Sequence, residues 1–213
     1  WKYPNSHGPK IQNYIPILTS RGCPYGCDFC VSPEITGRNW SALEPEKVID
    51  QIEYLKKEYQ VNNFFIEDLN PTVQYKRWDI ICDLLIKKKM SINFYFVSGT
   101  KLETIKIDQL SKFSNAGCRY ISFSPESGSS NLMNIIGKKF NYNHGIEVVK
   151  NCQKKNIRTQ ACFVIGNPQE RFVDFILSLK YMIKLTIFGL DEIAVFIISP
   201  FSGSKLSRLI ENK

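Results

Sequence analysis

The feature that most constrains the fold of this chain is a repeated alternation of strand-like and helix-like segments. Short runs rich in β-branched and aromatic residues fall at 15–20 (IPILTS), 62–67 (NNFFIE), 91–97 (SINFYFV), 118–124 (CRYISFS), 158–165 (RTQACFVI) and 190–198 (LDEIAVFII). Between them the apolar spacing is helical. Residues 45–59 place Val48, Ile49, Ile52 and Leu55 on one face, and Pro45 suits the first turn. A stretch near 73–89 does the same with Trp78, Ile81, Cys82 and Leu85. Further helices are expected at 104–115, ended by Gly117, and at 129–136, 142–155 and 170–186. Strands alternating with helices pair in parallel through right-handed crossovers. Six such units fall short of the eight that close a full barrel. The expected fold is therefore α/β, a partial (β/α)6 TIM-like barrel of parallel strands with outer helices. In such folds the loops after the strands' C-terminal ends build the active site.

Composition narrows the class. A length of 213 residues is enough for one domain with a sizeable core, and 43% hydrophobic with 13% aromatic residues argues against disorder. Residues 15–205 are expected to form the barrel. Residues 1–14 read as a linker or the tail of an upstream domain, and 206–213 as the start of a C-terminal extension. Because it starts with Trp1, the chain reads as a piece of a longer polypeptide. No apolar run reaches the length of a membrane span, and the polar, Pro-broken start (WKYPNSHGPK) is unlike a signal peptide. The net charge of +8 comes with lysines on polar helix faces, such as Lys56, Lys57 and Lys87. Those faces, without any RNA- or DNA-binding motif, argue against a nucleic-acid partner. Of the seven cysteines, Cys82, Cys118, Cys152 and Cys162 lie in or beside apolar runs, where a free thiol packs as a small hydrophobe. This is no disulfide framework; it points to a reducing compartment, the cytoplasm.

The remaining three cysteines form a Cys-x3-Cys-x2-Cys cluster, Cys23, Cys27 and Cys30, in the loop after the first strand. Thiolates at this spacing are soft-metal ligands for zinc, copper(I) or an iron–sulfur cluster. Structural zinc requires four ligands, yet there is no second Cys pair, and the only histidines are His7 and His144. A 4Fe–4S cluster on three thiolates leaves one iron open for chemistry. Gly22 and Gly26 let the backbone wrap closely around such a site.

The segment SRGCPYGCDFC (20–30) resembles the signature of the radical S-adenosylmethionine (SAM) superfamily, C-x3-C-x-aromatic-C, including the aromatic Phe29 before the last cysteine. The resemblance extends over roughly residues 15–205. It implies a 4Fe–4S cluster on Cys23, Cys27 and Cys30 whose open iron is chelated by the amino and carboxylate groups of SAM. Reductive cleavage of SAM then yields a 5′-deoxyadenosyl radical, with electrons from a reduced donor such as flavodoxin or ferredoxin. Phe29 is expected beside the cofactor.

Other strand ends carry matching segments. FFIEDLNPT (64–72) supplies Glu67 and Asp68 as candidates for the SAM amino group, while Asn70 before Pro71 suits a helix cap. ISFSPESGSS (121–130) resembles the family's G-x-E-S-G-S segment, implying that Glu126 accepts from the ribose hydroxyls; its serines and Gly128 also suit a helix cap. Lys138 in GKKF (137–140) reaches the SAM carboxylate by the same resemblance, or is a solvated surface lysine. FVIGNPQE (163–170) resembles the family's adenine-binding stretch, with Gly166 allowing close approach and Val164 and Ile165 flanking the ring. FIISPFSGS (196–204) resembles the turn after the sixth strand. Ser98 is a candidate SAM contact, or a turn-forming serine.

The segment TGRNWSALEPEKVIDQIEYLKKEY (36–59) is most similar to the cobalamin-binding branch, although Trp40 and Ser41 stand where arginines are usual. That branch implies cobalamin held by a domain outside this chain, and a methyl transfer or rearrangement on a substrate the sequence does not name. Two alternatives remain: a methylthiotransferase acting on RNA or protein, and a degenerate, non-catalytic binding domain, against which the intact cysteines argue.

Overall fold

The computed structural model describes residues 9–211. In chain order the elements are β1 (Tyr14–Ile17), β2 (Ser20–Gly22), α1 (Ser32–Thr36), β3 (Trp40–Ala42), α2 (Pro45–Tyr59), β4 (Asn63–Ile66) and α3 (Tyr75–Lys87). They continue with β5 (Asn93–Thr100), a 3-10 turn (Leu102–Thr104), α4 (Gln109–Ala116), β6 (Cys118–Glu126), α5 (Ser130–Ile135), α6 (Tyr142–Lys154), β7 (Arg158–Ile165), α7 (Phe172–Ile187), β8 (Glu192–Ile197) and α8 (Lys205–Glu211).

Six strands form one sheet in the order β1-β4-β5-β6-β7-β8, and every neighbouring pair is parallel. This is the open six-unit barrel expected from the alternation. Each expected strand has its counterpart within a few residues. Two differences matter for the site. Ser20, read as the end of the first strand, instead starts β2, which pairs antiparallel with β3 as a separate ribbon. The first sheet strand therefore stops at Ile17, and the chain turns away before reaching the cysteines. The third strand runs on to Thr100, which places Ser98 inside it rather than beyond its end.

Local chemistry explains the elements. Pro45 opens α2, where its fixed φ and missing N–H cost nothing, and Val48, Ile49 and Ile52 are buried below it. Ser129 accepts from the Leu132 N–H to cap α5, and Asn141 accepts from the His144 N–H at 3.0 Å to cap α6. Alternate strand residues point to opposite faces of the sheet. Outward residues such as Phe64, Phe94, Phe96, Ile121 and Phe163 join Trp78 and the helices in the main core. Inward residues Tyr14, Phe65, Tyr95, Val97 and Tyr120 pack together inside the sheet's concave face, with Tyr14 stacked on Phe65.

The expected tail, 1–14, falls partly in residues 1–8, outside the described residues, and partly in the sheet, since Tyr14 belongs to β1. At the other end, α8 lies against the cysteine loop. Its Leu206 is buried, and the Leu206 N–H donates to the Asp28 carbonyl at 3.0 Å. Among the described residues, no helix is long and apolar enough to cross a membrane.

Candidate functional site

The three clustered cysteines lie in the loop between β2 and α1, and all three line one cavity of about 140 Å³. Several contacts hold this loop. At its entry, Gly22 has a φ of +86°, and a Cβ there would collide with the Asn39 carbonyl of the ribbon's turn, so glycine is required for that crossing. A Cβ on Gly26 would press into the Arg38 guanidinium. The Asp28 N–H donates to the Ile136 carbonyl at 3.0 Å, and Lys205 pairs with the Asp28 carboxylate at 2.8 Å. Phe29 lines the cavity and packs against Leu132, Met133 and Ile136 at α5, which anchors the loop from below. The Ser32 N–H donates to Cys30 Sγ at 3.4 Å.

Burial pushes the Cys23 and Cys27 thiols above their ordinary values, and the positive charge of Lys138 opposes this at both. In the metal-free protein these groups hold their protons, and metal uptake would release them. Among the described residues, no three His, Cys, Asp or Glu side chains converge tightly enough to hold a single ion. A multi-iron cluster, in which each thiolate takes its own iron, needs no such convergence. Three soft donors around one small cavity fit that group, which would leave one iron without a thiolate, and the rest of the cavity forms a second wall.

That wall carries Glu126 and Lys138. Glu126 stands at the end of β6, where the pairing with β7 shifts register after Phe123. Its φ of +62° is a left-handed conformation that side chains other than glycine seldom adopt. The bend turns its carboxylate inward, where Oε1 accepts from Lys138 Nζ at 2.6 Å. Both side chains are 8% exposed. Burial works against the Lys138 charge, but Glu126 and Cys27 beside it outweigh burial and hold the lysine above its ordinary value. Backbone held in a sparsely populated conformation at a buried charge pair is the kind of strain that collects at functional sites.

The structure sorts the remaining sequence candidates. Asp68 is fully buried below the site: Oδ1 accepts from the Thr19 N–H at 2.6 Å and Oδ2 from Thr19 Oγ1 at 2.7 Å. The buried Arg77 donates to the Thr19 carbonyl at 2.7 Å and to the Leu43 carbonyl at 2.8 Å. Asp68 thus belongs to the scaffold that fixes the corner between β1 and β2, and through it the approach to Cys23. The sequence offered Asp68 as an acceptor for the SAM amino group; here both its carboxylate oxygens accept from Thr19. Glu67 faces a neighbouring cavity of about 470 Å³, lined also by Leu18, Ile35 and Leu69, and Leu69 borders the cysteine cavity as well. Ser98 does not line the cysteine cavity; Gly99, on the opposite face of β5, does. Ile165 ends β7 and Gly166 follows it, with the Gly166 N–H donating to Glu170 Oε2 at 2.7 Å and the Ile198 N–H to the Ile165 carbonyl at 2.9 Å.

Two contributors escaped the sequence reading. Lys101 sits with its ammonium 5.1 Å from the Tyr25 ring centroid, donates to the Lys139 carbonyl at 3.0 Å and lies 3.3 Å from Glu103. It straps the cysteine loop to the segment carrying Lys138. The other is Asn70, read in the sequence only as a helix cap; it lies in the cavity wall beyond β4, and Gln74 is the residue that precedes α3. The only signal available for either was position just beyond a strand's C-terminal end.

With this geometry in place, the chain's relationships are clear: it belongs to the Radical SAM superfamily, whose family model matches residues 17–179. Members of that family use a 4Fe–4S cluster and SAM. The chain is 28% identical over 190 residues to an uncharacterized methyltransferase of Pyrococcus horikoshii, covering 89% of this chain and 40% of that protein. It is 26% identical over 208 residues to the bacteriochlorophyllide d C-8(2)-methyltransferase of Chlorobaculum tepidum, covering 90% of this chain and 43% of the relative. Among solved structures it resembles the radical SAM methyltransferase TsrM of Kitasatospora setae, solved with cobalamin and a 4Fe–4S cluster bound. The TM-score is 0.74 at 16% identity, covering 84% of this chain and 36% of that one. The chain thus spans less than half the length of each of these three proteins.

Proposed function

We propose that this chain is the catalytic core of a radical SAM enzyme of the cobalamin-dependent class, one that transfers a methyl group or rearranges a carbon skeleton. The observation that carries the reading is the single cavity in which three cysteines face the buried Glu126–Lys138 pair. The cluster and SAM, when bound, supply one-electron reductive cleavage of a carbon–sulfur bond at the sulfonium. The protein's own part is to hold and orient. Cys23, Cys27 and Cys30 hold the cluster, and Phe29 seats their loop on α5. Lys138 draws in the SAM carboxylate, Glu67 accepts from the amino group, and Glu126 accepts from the ribose hydroxyls. Ile165 and Gly166 receive the adenine. Both curated relatives named above are methyltransferases, and TsrM binds cobalamin, which supports methyl transfer with cobalamin held by a domain outside this chain. The electron comes from a reduced flavodoxin or ferredoxin in the cytoplasm, a compartment that suits seven free cysteines.

The test is anaerobic reconstitution. The protein should take up about four irons, the stoichiometry of this cluster type, and with a strong reductant convert SAM to 5′-deoxyadenosine. Cys23→Ala, Cys27→Ala and Cys30→Ala should each lose both properties. Retained SAM cleavage in all three variants would sink the assignment. The full-length protein should also copurify with cobalamin or bind it stoichiometrically; failure there removes the subclass and leaves the cluster reading intact.

A further inference from the structure

Glu126 is the centre of a tight reversal. The Ser127 N–H donates to the Pro125 carbonyl at 2.8 Å across it, and its φ is +62°. A positive φ closed by a hydrogen bond between residues two apart is the rare, strained form of γ-turn. Such backbone persists only where the surrounding structure over-determines it. On the upstream side the pairing of β6 with β7 does so, with Glu126 itself opposite Phe163. On the downstream side the hold comes from α7. Ser178 Oγ donates to the Asp174 carbonyl at 3.0 Å, which commits its one proton within the helix. Toward the loop it is therefore an acceptor, from the Gly128 N–H and from Ser127 Oγ, each at 2.9 Å. Ser127 Oγ accepts in turn from the Ser129 N–H at 3.1 Å, and Ser129 Oγ donates to Asp174 Oδ1. All four of these side chains, Ser127, Ser129, Asp174 and Ser178, are buried. A Cβ on Gly128 would stand 2.3 Å from the Leu177 carbonyl oxygen, so the loop lies directly on α7.

We propose that Ser178 is a positioning residue, which holds the strained turn at Glu126 and so keeps that carboxylate on Lys138 and in the wall of the cysteine cavity. This rests on the reading of Glu126 as a contact to SAM. Ser178 does not line the cavity, and it acts only through the loop that follows Glu126. An unstrained turn would connect β6 to α5 equally well, so what the strain secures is the place of the carboxylate. Without the Ser178 oxygen, the Gly128 N–H and the Ser127 hydroxyl lose a buried acceptor. The turn is then free to relax to an ordinary negative φ, which carries the Glu126 carboxylate away from Lys138.

The experiment places Ser178→Ala in the full chain and reads two couplings. In the metal-free protein, the drop in urea midpoint caused by Lys138→Met is measured with and without Ser178→Ala. If Ser178 holds Glu126 on Lys138, that drop shrinks to about half or less in the Ser178→Ala background. A serine that served only the fold would lower every midpoint alike and leave the drop unchanged. In the cluster-loaded protein, the SAM dissociation constant by equilibrium dialysis rises about tenfold in Ser178→Ala, the loss expected of one hydrogen bond to a charged group. The same change made on Glu126→Gln adds nothing further, because the residue it positions is already altered. Ser127→Ala removes the hydroxyl on the loop side and must move both readouts in the same direction, so a folding failure of Ser178→Ala does not end the test. An unchanged Lys138→Met drop together with unchanged SAM affinity overturns the proposal, and so does an equal loss of affinity on Glu126→Gln. A wild type that takes up no cluster or binds no SAM overturns the reading beneath it, and is told apart because it fails before any variant is compared.

Discussion

Replacing Lys138 by methionine leaves the Glu126 carboxylate buried, 8% exposed, and without the ammonium that stands 2.6 Å away. At an effective dielectric of about 20, opposite charges at contact attract by roughly 4 kcal/mol. Breaking a buried pair by removing one partner costs about 3–5 kcal/mol, since the remaining charge stays desolvated. The left-handed φ of Glu126 is present in wild type and variant alike, so its strain cancels in the comparison. For a domain holding about 5–15 kcal/mol, the loss takes about a fifth or more of total stability. With an m-value of about 2–3 kcal/mol per molar, the urea midpoint of the metal-free protein should drop by roughly 1–2 M. Glu126→Gln should behave similarly, because Lys138 is then the unpaired charge. The double variant Glu126→Gln/Lys138→Met carries no buried charge and should recover most of the loss. Circular dichroism unfolding of the four proteins closes the double-mutant cycle. If the single effects simply add within about 0.5 kcal/mol, the two groups are not coupled and the reasoning from their contact is wrong.

Two further outcomes follow from buried groups elsewhere. The Asp174 carboxyl is held well below the usual carboxylate range, first by hydrogen bonds from Arg171 and then by one from Ser129. Its contribution is complete above the unfolded value near 3.9 and is lost as pH falls from there toward the depressed folded value. Acid titration of stability should therefore steepen below about pH 4 in wild type and flatten there in Asp174→Asn; parallel acid limbs would show that the carboxyl contributes nothing. The thiols divide into classes: Cys82, Cys118 and Cys152 are buried and pushed far above their ordinary values by burial, whereas Cys23, Cys27 and Cys30 are only half-buried at a cavity. An aromatic disulfide reagent should modify the second set in the native metal-free protein and reach the first only on unfolding. Equal rates across both sets would contradict this burial.

The parts of the fold that were legible in the sequence are those written in short-range pattern. The helix from Pro45 is one: a first-turn proline followed by Val48, Ile49 and Ile52 on one face needs no tertiary information, and the structure has that helix at Pro45–Tyr59. β7 is another, matched from Arg158 to Ile165. The ribbon of β2 and β3 was not legible, because three-residue strands show no periodicity. Its pairing gives a place to Trp40 and Ser41, which lie opposite Gly22 and Arg21. Ser98 and Gly99 illustrate the limit of a strand-end rule: β5 runs on to Thr100, so both lie inside it, and alternation along the strand decides which of them faces the cavity.

The cysteine spacing alone set the expectation of a soft-metal loop, since three thiols within eight residues stay in one short segment whatever the surrounding fold. The order of strands and helices likewise determined a parallel barrel and placed its chemistry at one end. Tertiary structure decided which acidic residues serve the scaffold and which face the site. Asp68 and Glu67 are neighbours in sequence, but in the loop just beyond β4 one turns to Thr19 beneath the site and the other lines a cavity. Glu126 and Lys138 each looked like a separate contact, and only the bend at the end of β6 makes them a buried pair.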